Sequence, residues 1–351
     1  MQRSIPYSPN ERNVIDERPG WFGGPPIPVY NTPVLPRQNA CALYFDRQPY
    51  WISTSSDIAF SIPDLYNEKL GRAPNNTDVF NRYWEFVEMV GGSITHGGNP
   101  LFTDVNEWKD KVTIPNVDDW DWAKAVEDTK PDRTLSMMPS LVNGFWFERL
   151  ISFMDFEHAA VALIDEDQHD AIIELFTAMT DLAIKVVDKL FEYFPGIDGV
   201  NIHDDWGSQQ APFFSEEVAR KLFFPFMKEL NDHIHSKGRY TSLHSCGHNE
   251  SRIELFIEAG YDEWSPQPMN DTQALYEKYG DKIILSIYPD PLAPDAADDD
   301  YRQAARDYVD RFCQPGKPST LGFSPLAANP AFAEELYIYS RKHYANMKAK
   351  F

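Results

Sequence analysis

Cysteine is scarce. The three residues Cys41, Cys246 and Cys313 in a chain of 351 are too few and too scattered for a disulfide framework, so a reducing compartment is expected. Long apolar runs are missing as well. Nothing approaches the ~18 consecutive apolar residues that a membrane span needs, so no membrane helix and no membrane partner are expected. Basic charge is short: 32 Lys and Arg stand against 54 Asp and Glu, for a net charge of -22. Such a field repels nucleic acid and anionic membranes, and it makes a polyanionic substrate awkward unless arginines gather at the site. The nucleotide fingerprints Gly-x-Gly-x-x-Gly and Gly-x-x-x-x-Gly-Lys-Ser/Thr are absent. Met1 to Asn13 is polar and has no apolar signal-peptide segment, so a cytoplasmic protein is expected.

What is present supports a large core: 42% apolar and 14% aromatic residues argue against disorder. The length suits one (β/α)8 barrel of the usual ~250 residues with insertions. Residues 1–40, with Gly23, Gly24, Pro25 and Pro26, read as an N-terminal arm, and 41–351 as the body. Strands are predicted at Tyr50–Thr54, Leu135–Val142, Gly199–Asp204, Tyr240–His244, Asp262–Ser265, Ile283–Tyr288 and Ser319–Phe323, with one more in the tryptophan-rich stretch before residue 130. Helices are predicted at Pro36–Phe45, Asp167–Phe194, Ser215–Lys237, Ser251–Ala259 and Asp300–Phe312, with a last helix completed by the basic tail. In Asp167–Phe194 the residues Ile172, Ile173, Leu175, Phe176, Met179, Leu182, Ala183 and Val186 make a stripe of 3.6-residue period. Strands alternating with helices imply βαβ units and a parallel sheet. Alternation by itself does not separate a closed barrel from an open doubly wound sheet.

In either arrangement functional residues gather at the carboxyl ends of strands. Three polar clusters fall there. They are His203-Asp204-Asp205-Trp206-Gly207-Ser208-Gln209, then His244-Ser245-Cys246-Gly247-His248, then Ser265-Pro266-Gln267-Pro268 with Asn270 and Asp271. Asp204 and Asp205, with His203, are candidates for acid catalysis, proton transfer or metal ligation; each acid taken singly also suits a helix cap or an ion pair. His244 and Cys246, two residues apart, point the same way if the strand runs through both, and imidazole and thiolate are common zinc ligands. Gln209, Gln267 and Tyr288 are candidates for holding a substrate. The aromatics Trp108, Trp120 and Trp122 read as packing, with a lid over a barrel mouth as the alternative. Gly91-Gly92-Ser93 and His96-Gly97-Gly98 read as a loop.

Several of these residues carry a resemblance. Asp204-Asp-Trp-Gly-Ser-Gln209, Ser215-Glu-Glu217 opening a helix with Pro225 and Lys228, Leu243-His-Ser-Cys-Gly247 and Gln267-Pro-Met-Asn-Asp271 resemble the uroporphyrinogen-decarboxylase-like superfamily. So do Gly144-Phe-Trp-Phe-Glu-Arg-Leu150 upstream and Thr32–Ile52, in collinear order over most of the chain. The resemblance implies a (β/α)8 TIM barrel with its site at the carboxyl ends of the strands.

The superfamily implies two chemistries. True uroporphyrinogen decarboxylases carry Pro-x-Trp-x-Met-Arg-Gln-Ala-Gly-Arg near the N-terminus, whose arginines hold substrate carboxylates. Here the stretch is Pro49-Tyr50-Trp51-Ile52-Ser53-Thr54-Ser55-Ser56-Asp57, and both arginines are absent. The chain is more similar to the corrinoid-dependent methyltransferases. That branch moves a methyl group between a small molecule and the cobalt of a separate corrinoid protein. The partners implied are a corrinoid-binding protein and a methyl ether, methylated amine or pterin. The corrinoid signature Asp-x-His-x-x-Gly is itself absent. Some members hold zinc with His-x-Cys and a distant cysteine. His244 and Cys246 match the first two, but none lies near Gly322-Phe323-Ser324. Either Cys313 reaches in, or a carboxylate or water substitutes, or no zinc is bound. A cofactor-free decarboxylase and a non-catalytic barrel relative are the alternatives. Without the cationic clamp, a polycarboxylate porphyrinogen meets a strongly acidic protein. The purified protein is therefore expected to form no coproporphyrinogen from uroporphyrinogen, and robust turnover in that assay would overturn the assignment away from the decarboxylases.

Overall fold

The computed structural model describes residues 5–19, 26–59, 64–71, 73–88, 92–141, 145–293, 295–322 and 324–348. Gly23, Gly24, Pro25, Gly91, Val142, Gly144 and Phe323, named above, lie outside them. The chain falls into two compact units. One comprises Met1–Ile58, Arg133–Ser136 and Tyr276–Phe351, and the other Ala59–Asp132 and Met137–Leu275.

The second unit contains a run of parallel strands and their helices. These are β1 (Ser140–Leu141), α1 (Phe147–Ala162), α2 (His169–Tyr193), β2 (Gly199–His203), α3 (Glu216–Leu222), α4 (Phe224–Ser236), β3 (Tyr240–His244), α5 (Ile253–Glu258) and β4 (Glu263–Ser265). The strands pair in parallel in the order β1-β2-β3-β4. β2 and β3 are buried through their first four residues, as fits a sheet covered on both faces. The α2 stripe is at most 1% exposed at Ile172, Leu175, Phe176, Met179, Leu182, Ala183 and Val186. Each large side chain so buried contributes about 1.5–3 kcal/mol of hydrophobic stabilisation. Trp108, Trp120 and Trp122 are buried, and Trp122 stacks on Tyr193 of α2 at 5.8 Å, so they are packing residues.

In the first unit, β5 (Ile284–Ile287) and β6 (Ser319–Leu321) pair in parallel, and α6 (Asp298–Phe312) packs on α7 (Pro330–Lys348). Arg341 of α7 is 1% exposed and binds both oxygens of Glu11, at 3.0 and 3.1 Å, so the N-terminal segment is tied to the C-terminal helix.

Four expectations are corrected. Tyr50–Thr54 is not a strand; only Ser53 bridges, to Thr320. The side chain of Asn39 takes the place of a neighbouring strand, its Oδ1 accepting from the Tyr50 and Trp51 N–H groups and its Nδ2 donating to the Trp51 carbonyl. The predicted strand at 135–142 is interrupted at Pro139, which has no N–H to give the ladder. No strand occurs at 100–130 among the described residues, where short helices include Trp108–Lys111 and Trp122–Asp128. Upstream, Asn76–Thr77, Tyr83–Val87 and Gly92–Thr95 form an antiparallel sheet instead. The helix predicted over Ser215–Lys237 breaks at Phe223 between α3 and α4, two residues before Pro225, which has no N–H and sits in the first turn of α4.

Asp57, just beyond the predicted strand Tyr50–Thr54, is buried. Its Oδ2 accepts from Trp51 Nε1 at 3.0 Å and Thr54 N at 3.2 Å. Burial pushes its carboxyl up to about 6 against those hydrogen bonds. The folded chain thus keeps a proton that the unfolded chain releases near 3.8. This group favours folding most below pH 4, and the benefit is lost as the pH rises from 4 to 6. Asp57→Asn keeps an acceptor oxygen and carries no charge. Its denaturation midpoint should gain on the wild type between pH 4.5 and 7.5; a difference that stays constant across that range would refute the assignment.

Candidate metal-binding and catalytic site

His203 closes β2 and His244 closes β3, and the two are Cα partners in the parallel register. Neighbouring strands lie about 4.8 Å apart. The two imidazoles accordingly stack, with centroids 4.9 Å apart and planes 1° from parallel. Two residues further along each chain come Asp205 and Cys246, and the Cys246 N–H donates to Asp205 Oδ1 at 2.6 Å. The backbone ladder continues past the strands, from Asp204 N to the His244 carbonyl and from Gly207 N to the Cys246 carbonyl. The result is a two-by-two array of side chains. One potential ligand atom from each of His203, Asp205, His244 and Cys246 lies within 4.8 Å of the others. His203 Nε2 is 3.3 Å from Asp205 Oδ1, and His244 Nε2 is 3.3 Å from Cys246 Sγ. Zinc bond lengths of 2.0–2.3 Å put the edges of a ligand tetrahedron at about 3.3–3.8 Å. Two imidazoles, a thiolate and a carboxylate also form a donor set suited to zinc. The residues present therefore fit a zinc ion.

The two adjacent acids have different surroundings. Asp205 is half-buried and faces the array. Asp204 is 1% exposed; its Oδ2 accepts from Phe147 N at 3.1 Å and Trp206 Nε1 at 2.7 Å, and its Oδ1 from Glu148 N at 2.9 Å. It satisfies the free N–H groups at the start of α1. Burial first, and the nearby Glu148 carboxylate second, raise the Asp204 carboxyl above the usual carboxylate range.

Glu148 is a residue that the strand-end pattern does not single out. Its Oε2 lies 3.1 Å from His203 Nδ1. Burial opposes charge on His203, yet the Glu148 and Asp205 carboxylates outweigh it and lift the imidazole well above its usual range. Burial raises the Cys246 thiol. The only sequence signal for Glu148 was its place in the Gly144–Leu150 resemblance.

Gln267, beyond β4, donates from Nε2 to Cys246 Sγ at 3.3 Å and accepts the Gly247 N–H at 2.7 Å. Asn270 Nδ2 donates to the Gly247 carbonyl and Asn249 Nδ2 to the Cys246 carbonyl, so the turn is held from three sides. Gln209 is exposed and outside the array. Cys313 and Tyr288 belong to the first unit. Cys313 is buried at the C-terminus of α6 beside the Tyr344 hydroxyl, and burial pushes its thiol up to about 12. Tyr288 directly follows β5, and a Cβ on Gly322 would come within 2.9 Å of its ring.

No family model matches the sequence, and no curated protein matches it. Among solved structures the chain is similar to a methyltransferase from Methanosarcina mazei, at 12% identity and a TM-score of 0.52, over 88% of this chain and 85% of that one. A xylose isomerase-like TIM barrel protein from Mycobacterium smegmatis, in complex with magnesium, matches at 14% identity over 65% of this chain and 88% of that one, with a TM-score of only 0.30. At these identities the likeness is one of fold. The parallel strands, their helices and the first likeness make the fold an α/β TIM barrel.

Gly247 sets the array's geometry. It adopts φ +99°, and a Cβ there would lie 2.2 Å from the Gly207 backbone. Gly238 has φ +70° with open space around it. Gly238→Ala should cost only the left-handed penalty of about 1–2 kcal/mol. Gly247→Ala must also push two backbones apart, so it should cost clearly more in denaturant unfolding. Equal costs would show that the close approach does not constrain the site.

Proposed function

We propose that the chain is a methyltransferase that moves a methyl group between a small molecule and the cobalt of a separate corrinoid protein. The observation that carries this reading is the convergence of His203, Asp205, His244 and Cys246 at the carboxyl ends of β2 and β3. The TIM-barrel fold and the resemblance of the surrounding motifs support it.

These four residues would hold zinc, which supplies a Lewis acid for the heteroatom that bears or accepts the methyl group. The Asp205 carboxylate and the His203 imidazole would take the place of the distant cysteine of the superfamily's zinc-binding members. Gln267 donates to Cys246 Sγ and so stabilises negative charge on the sulfur. Asp204 is a positioning residue, since its oxygens are occupied by the start of α1 and by Trp206. Of the acidic pair, Asp205 is the one at the site. A methyl ether, methylated amine or pterin remains the substrate class, since each presents a heteroatom that leaves more readily when its developing charge is stabilised.

Two measurements test the proposal. Elemental analysis of the purified protein should give about one zinc per chain, and His244→Ala should lower occupancy about tenfold or more. With a corrinoid protein reduced to cobalt(I), a methyl donor of these classes should yield methyl-cobalt, read from the visible spectrum, and the His244→Ala, Cys246→Ala double variant should not. Methyl transfer by a metal-free protein would remove zinc and keep the pocket. Carbon dioxide release from a carboxylic acid, with no corrinoid protein needed, would replace the proposal with a decarboxylase.

A further inference from the structure

Glu148 stands beside the four converging side chains without being one of them. Its Oε2 and His203 Nδ1 are buried and 3.1 Å apart, yet out of line for a hydrogen bond, and neither atom has another hydrogen-bond partner among the described residues. Two buried polar atoms left this way are costly unless a small ring rotation pairs them. The other ring nitrogen, Nε2, faces Asp205 and the array. His203 therefore has one nitrogen toward a buried carboxylate and the other toward the metal-competent centre.

The Glu148 backbone is fixed. Its N–H donates to Asp204 Oδ1 at 2.9 Å. The next residue, Arg149, is 1% exposed and binds Asp78 Oδ2 and the Leu70 carbonyl, both at 2.7 Å. The first turn of α1 is thus pinned on both sides of Glu148, which limits where its side chain can reach.

We infer that Glu148 is a positioning residue for the metal centre: it accepts the Nδ1 proton of His203, fixes that tautomer, and so presents Nε2 as a metal ligand. This rests on the metal centre proposed above. A ligating histidine that donates its other N–H to a carboxylate is oriented and made more basic, and loss of such a partner weakens metal binding about 10–100-fold. Glu148 would thereby recruit His203 into a site whose superfamily pattern supplies only His244 and Cys246.

The test uses the full chain with zinc or cobalt(II) and a competing chelator, and needs no substrate. Wild type should bind one ion, and Glu148→Ala should bind it about 10–100-fold more weakly with an unchanged melting curve. Glu148→Gln keeps a carbonyl oxygen for the Nδ1 proton and should restore most of the affinity. Nitrogen-15 spectra of the zinc-loaded wild type should show His203 protonated at Nδ1 and metal-bound at Nε2; they decide the matter even if Glu148→Ala fails to fold. Unchanged affinity in a folded Glu148→Ala, or metal on Nδ1, overturns the inference and leaves the metal centre standing. A wild type that binds no ion removes the centre itself, and the inference with it.

Discussion

A single buried carboxylate organises this site. Asp204 follows β2 directly and turns into the protein body, where it takes the N–H groups of Phe147 and Glu148 and the indole N–H of Trp206. A helix start leaves N–H groups unsatisfied, and a carboxylate there is favoured by both hydrogen bonding and the helix dipole. The cost is desolvation, seen in the raised carboxyl of Asp204. In return, α1 is locked to the end of β2. Arg149, one residue along from Glu148, is held by Asp78, which also accepts from Trp84 Nε1 and the Phe80 and Arg82 N–H groups. Two buried acids therefore place Glu148 beside His203.

The second constraint is the in-register parallel pairing of β2 and β3. Because His203 and His244 are partners, their rings share a plane direction, and the residues two further along meet as well. The array is then sealed from outside the strands. Gly247 makes a turn that only a residue lacking a Cβ permits against Gly207, and Gln267, Asn249 and Asn270 satisfy its exposed backbone groups. These amides are spent on the loop. Their polar atoms serve the geometry of Cys246, and Gln267 reaches its sulfur directly.

Much of this was legible in the chain. Short, largely apolar runs ending in polar clusters marked β2, β3 and β4, although Asn201, Thr241, Ser242 and Glu263 are buried within them. The same clusters contained all four residues of the array. The 3.6-residue stripe of α2 appears as expected, with its apolar residues buried except for the half-buried Ile173. Tyr50–Thr54 was misread for a definite reason: its bonding partner is the side chain of Asn39, and side-chain mimicry of a strand leaves no periodic trace.

By itself the sequence determined the alternating α/β architecture, the placing of polar clusters at strand ends, and the pairing of His244 with Cys246, since these follow from local pattern and a two-residue repeat. Tertiary structure alone decided which acid faces which neighbours. Asp204 and Asp205 are indistinguishable as neighbours in a string, but successive side chains diverge, so one meets the start of α1 and the other meets Cys246. It also decided that Glu148, 55 residues before His203, stands 3.1 Å from that ring, and that His203 and Asp205 join the array while Cys313 is buried at the end of α6. Contacts of that kind depend on which strands pair and in what register, and spacing along the chain carries no record of either.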